Sequence, residues 1–186
     1  GDIIMVGGYT IYVFMNLTGH PLIALGIAIV CCVILGVTIE KVAYKPLRGA
    51  SPLAVLITAI GVSYLLQSLA QIIFGSAPKM VKIIDLGTVK IGELKIQGYT
   101  LLTLISAVIV MVALTLFVKF TKMGRAMIAA SEDKAATQLM GINVNRIISI
   151  TFAIGSALAG VASLLLCSAY PLIGPYTGAM PGIKAF

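Results

Sequence analysis

Four apolar stretches, about residues 21–40, 53–75, 99–118 and 147–170, are each long enough to cross a bilayer, and charged loops separate them. A crossing helix needs roughly 20 mainly apolar residues. An earlier run, 3–17, has only 15 residues, roughly 22 Å at 1.5 Å per residue. It reads as a partial span or as a broken or re-entrant helix, and Gly7-Gly8 would permit a close approach or a bend there. Charged residues make up only 10% of the chain and hydrophobic ones 60%, whereas a soluble domain carries about a quarter charged residues. The expected fold class is therefore all-α, a polytopic integral membrane protein. Residues 1–186 are expected to be one transmembrane domain cut at both ends from a longer protein, since Gly1 opens without a signal-like stretch and Phe186 closes without a polar tail.

The formal net charge of +7 does not point to nucleic acid, because every basic residue lies in a loop or at a span end. There, positive charge orients a membrane protein and meets anionic headgroups. Loops 41–52 and 119–146 lie two spans apart, so they share a side. Together they hold eight Lys and Arg, against five (Lys79, Lys82, Lys90, Lys95 and Lys184) opposite. That excess places both loops in the cytoplasm. On the outer side, Val89-Lys90-Ile91 and Leu94-Lys95-Ile96 alternate around Gly92-Glu93, predicting a short external β-hairpin with a type II′ turn. It would serve as a lid over the helix ends or as a contact surface.

Little chemistry is visible. Cys31, Cys32 and Cys167 lie in apolar runs with no metal-ligand spacing, which suits small apolar fillers, and no metal or cofactor is expected. His20 marks the turn before residue 21. Glu40 stands at a span end beside Lys41, and the other acids fall in loops or at the N-terminus. Proton- or sodium-driven carriers usually need an ionisable group within the membrane. No phosphate-binding glycine loop and no catalytic constellation occur, so an enzyme is disfavoured, and uphill transport would draw its energy from another chain.

The neutral polar residues carry more information. Ser63, Gln67 and Gln71 recur every fourth residue in the span 53–75 and form one stripe. The stripe would either hydrogen-bond between helices or line a solute path. Gly155, Ala159 and Ser163, with Ser156 and Gly160 beside them, form a row of small residues suited to close helix packing. Pro171, Pro175 and Pro181, with several glycines, are expected to break the chain into an irregular stretch. In the loop 119–146, Ser131 is expected to cap a surface helix over Ser131–Met140. Glu132 and Asp133 would lie in its first turn and Gly141 would stop it. Its alanine-rich surface could seat in a partner's groove, with Arg125, Glu132 and Asp133 giving charge register, or it could be an ordinary interfacial helix.

Tyr44-Lys45-Pro46-Leu47-Arg48 and the following Leu56-Ile57-Thr58-Ala59-Ile60-Gly61-Val62-Ser63 resemble the permease family of branched-chain amino acid ABC importers. Thr121-Lys122-Met123-Gly124-Arg125-Ala126 through Gly141-Ile142-Asn143 is similar to that family's coupling loop. Thr151-Phe152, Leu158-Ala159-Gly160, Gly178 and Ile183-Lys184-Ala185-Phe186 extend the likeness along nearly the whole chain. The resemblance implies a membrane subunit of the bacterial inner membrane that forms the solute path beside a second related permease subunit. A periplasmic solute-binding protein would deliver the solute, and two cytoplasmic ATP-binding subunits would drive transport. It implies that Gly124, Arg125, Ala126, Glu132, Asp133, Ala136, Leu139 and Gly141 form the ATPase contact. Rival readings are a permease of the same superfamily for urea, short amides or sugars, and a self-contained channel or secondary carrier.

Overall fold

The computed structural model describes residues 1–81, 88–91 and 94–185. Contacts divide the chain into two compact units, residues 1–85 with 152–186, and residues 86–151.

In the first unit, α1 (Asp2–Thr18) and α2 (Pro21–Ile39) form a hairpin around Gly19, whose φ of 68° is a left-handed conformation that glycine adopts without strain. The short run expected at 3–17 is thus one unbroken helix of 17 residues. Beyond α2 the chain continues as a π-helical turn, Glu40–Tyr44, and a 3-10 turn, Lys45–Leu47. Next comes α3 (Pro52–Phe74), with Pro52 in the first turn, where its missing N–H costs nothing, and Ser51 Oγ accepting from the Ala54 N–H. A two-residue strand, β1 (Lys79–Met80), follows.

The second unit contains β2 (Thr88–Ile91), β3 (Leu94–Gln97), α4 (Gly98–Phe120), α5 (Lys122–Glu132) and α6 (Lys134–Leu139). Strands β2 and β3 pair antiparallel with Ile91 opposite Leu94, which is the expected hairpin. Its turn, Gly92-Glu93, lies outside the described residues.

Helix α7 (Val144–Ala169) begins in the second unit and ends in the first. The closing stretch holds β4 (Leu172–Ile173), antiparallel to β1, and α8 (Ala179–Ala185). The irregular backbone expected after Pro171 therefore stops at residue 178. Pro181 falls in the first turn of α8, where no intrahelical donor is required.

Among the described residues, four helices meet the length and hydropathy of a bilayer span: the α2 segment extended to Leu47, α3, α4 and α7. With strands confined to a few residues, the protein is an all-α, multi-pass membrane protein.

Packing in the first unit depends on small side chains. Ala24, Ala28, Cys32 and Gly36 are buried at every fourth position of α2. On the part of α7 that belongs to this unit, from residue 152 on, the buried residues are Ser156, Gly160, Ser163 and Cys167. A Cβ on Gly36 would lie 1.7 Å from Ser156 Oγ, and one on Gly160 would lie 3.0 Å from the Ile29 Cα. A Cβ on Gly7 of α1 would lie 2.6 Å from Ser163 Oγ and 3.0 Å from Cys32 Sγ, so three helices meet at that glycine. Of the row expected on α7, Gly160 and Ser163 lie at these contacts and Ala159 is half-buried, but Gly155 is exposed with no atom within 4 Å of its Cβ position. One residue along a helix is a 100° turn, and the buried row starts at Ser156 instead.

Candidate functional site

The loop between α4 and α7 is built to reverse the chain and present a short stub. Thr121 ends α4 and caps α5: its Oγ1 accepts from the Gly124 N–H at 2.9 Å. Gly124 then lies directly on the end of α4, where a Cβ would come 2.3 Å from the Val118 carbonyl oxygen. Backbone cannot move aside as a side chain can, so only glycine fits. Met123, Ala126, Met127 and Ala130 of α5 pack with Ile142 and with Val144, Ile147 and Ile148 at the base of α7. This apolar face fixes α5 and leaves Arg125 and Glu132 on its exposed side.

The cap of the stub differs from expectation. Ser131 belongs to α5, and its Oγ donates to the Ile128 carbonyl. Asp133, with extended backbone, is the N-cap of α6, and its Oδ1 accepts from the Ala135 and Ala136 N–H groups at 2.8 and 3.1 Å. A carboxylate at this position satisfies two open donors and also favours the helix dipole, which Ser131 cannot match once α5 has claimed it. One long surface helix is thereby replaced by two short ones. Gly141, at φ 80°, ends α6 with paired bonds, Gly141 N–H to the Gln138 carbonyl and Ile142 N–H to the Thr137 carbonyl.

The structure thus divides the eight loop residues named from sequence. Gly124 and Ala126 hold the loop together from inside, whereas Arg125, Glu132, Asp133, Ala136, Leu139 and Gly141 lie on its surface. Sequence reasoning missed Met140. It is 82% exposed beside Leu139, which is 88% exposed, so the stub ends in two bare apolar side chains. The signal was present in the adjacent pair Leu139-Met140, but its exposure depends on where α6 stops.

In the first unit, the stripe on α3 is drawn into interhelical hydrogen bonds. Ser63 Oγ donates to Asp2 Oδ2 at 2.7 Å, Gln67 Nε2 to Asp2 Oδ1 at 3.0 Å and to Ser63 Oγ at 3.3 Å, and Gln71 Nε2 to the Tyr176 hydroxyl at 2.7 Å. Helix α1 runs parallel to α3, with Tyr9 stacked on Phe74 at 4.3 Å. Asp2 therefore meets the middle of the 23-residue α3. Asp2, placed by the sequence simply at the N-terminus, is thus brought against the middle of a candidate span. Position in sequence cannot show the depth at which a helix starts. Glu40 is also wholly buried, in an ion pair with Arg48 across the π-helical turn, while Tyr44 packs against Phe152. The Tyr44-to-Arg48 motif thus folds the end of α2 back over a buried charge. Among the described residues no group of His, Cys, Asp or Glu could hold a metal ion.

Apolar helices with a small-residue seam, a polar stripe in a candidate span and an exposed helical stub define a multi-pass membrane protein. Comparison with known proteins is specific. The family described as "Branched-chain amino acid transport system / permease component" matches residues 1–186, and the chain belongs to it. The high-affinity branched-chain amino acid transport system permease protein BraD of Pseudomonas aeruginosa is 38% identical over 200 residues, covering 100% of this chain and 65% of the relative. LivH of Escherichia coli K12, a permease protein of the same description, is 36% identical with the same coverage. The chain thus spans 65% of the length of these relatives. No solved structure gives a significant match.

Proposed function

We propose that this chain is the membrane-spanning permease subunit of an ATP-driven importer for branched-chain amino acids. It sits in a bacterial inner membrane with loops 41–52 and 119–146 in the cytoplasm. The observation that carries this reading is the family match along all 186 residues, joined to a stub whose exposed end offers apolar Leu139 and Met140 beside Arg125, Glu132 and Asp133. Two cytoplasmic ATP-binding subunits seat α5 and α6. A second related permease subunit completes the solute path, in which Ser63, Gln67 and Gln71 take part, and a periplasmic solute-binding protein delivers the amino acid. The permease does no covalent chemistry. Its partners bias two conformations by binding one better than the other.

The test is reconstitution of the full-length permease in vesicles. With both ATP-binding subunits, the second permease and the binding protein, L-leucine should accumulate against its gradient when ATP is supplied. Without the ATP-binding subunits accumulation should stop. Accumulation by the permease alone would refute the reading.

A further inference from the structure

Among the described residues Asp2 is the acid that hydrogen-bonds to the polar stripe of α3, and it does so at the middle of a candidate span. Both oxygens accept from neutral groups, Ser63 Oγ and Gln67 Nε2, and no basic side chain among the described residues forms an ion pair with it. The ion pair that the structure shows joins Arg48 and Glu40, just beyond α2. A carboxylate has about four acceptor positions, and here two are used. A charge held by neutral donors in low dielectric attracts a cation strongly. The donors of Ser63 and Gln67 are taken up within this network, which leaves the Gln67 amide oxygen and a lone pair of Ser63 Oγ as further acceptors for an ammonium group.

From this geometry we infer that Asp2, supported by Ser63 and Gln67, is a binding site for the α-ammonium group of the amino acid during passage. This rests on the importer reading above and adds where the permease itself recognises its solute. The side chain of the amino acid plays no part here. The site therefore distinguishes amino acids from uncharged solutes, and not one branched-chain amino acid from another.

The experiment compares L-leucine uptake into vesicles holding the complete importer with wild-type permease, Asp2→Asn or Asp2→Glu. Asparagine keeps the size and shape of the side chain, removes its charge and replaces one of its two acceptor oxygens with a donor. Uptake should fall about 30-fold or more in Asp2→Asn, with unchanged co-purification of the partners, and Asp2→Glu should restore a substantial part. Equal uptake by Asp2→Asn and wild type overturns the inference and leaves the importer reading intact. No uptake by wild type overturns the importer reading. If Asp2→Asn fails to assemble, Ser63→Ala with Gln67→Ala decides. Uptake at the wild-type rate by that variant overturns the inference, and reduced uptake with intact assembly supports it.

Discussion

The segment from Pro21 to Leu47 and helix α4 are almost equally apolar, with mean hydropathies of 3.0 and 2.8 over their best windows, yet 22% of the first window is buried and 0% of the second. Hydropathy alone puts both into the membrane and says nothing about which packs. Side-chain size decides that. In lipid, two apolar surfaces gain little by meeting, because the tails are as apolar as leucine, so close contact and hydrogen bonding hold helices together. Helix α2 offers Ala24, Ala28, Cys32 and Gly36 on one row, and its neighbours approach to backbone distance. Helix α4 offers Leu104, Ile109 and Met111, all exposed, and no such row.

The largest effect that would break this contrast lies at Gly36. Replacing it with leucine forces a side chain into the position of Ser156, and the folded permease should lose about 3 kcal/mol of stability. Thermal unfolding in detergent would show this as a lowered midpoint, and an unchanged midpoint would mean that the seam is not tightly packed. At the stub, exposed apolar groups stand outside any span. Leu139→Asp together with Met140→Asp should cost about 2 kcal/mol of binding, or about 30-fold in affinity for the ATP-binding subunits, with the unfolding midpoint unmoved. Retained co-purification of those subunits would count against the stub as their seat. The smallest effect is expected on α4, where Ala113 is exposed. Ala113→Leu should change stability by less than about 0.5 kcal/mol. A large loss by the same unfolding measurement would show that this face is packed after all.

Much of the fold is legible in the residues. The run at 53–75 became Pro52–Phe74, and the strands flanking residues 92–93 pair as their alternation implies. These features depend on local pattern and length, which the chain carries within a few neighbours. The misreadings share a different cause. Ser131 and Asp133 are both good caps by type, and the choice between them was settled by α5, whose Met123, Ala126, Met127 and Ala130 face packs on α7 and extends the helix past Ser131. Gly155 and Ser156 are both small, and only the direction from which α2 approaches selects Ser156. The candidate site shows the same limit. Arg125 and Glu132 were recognisable as surface charges, but Met140 emerged only with the end of α6 known, and Asp2 only with α1 laid against α3.

By itself, then, the sequence determined that the chain enters a bilayer as helices, where its polar stripe and loops fall, and to which family it belongs. Those follow from transfer free energy and from motifs read along the chain. The tertiary structure alone decided which small residues touch, which part of α3 Asp2 meets and which loop residues are left bare. Each of these depends on the offset and rotation of one helix against another, and packing between residues distant in sequence sets both.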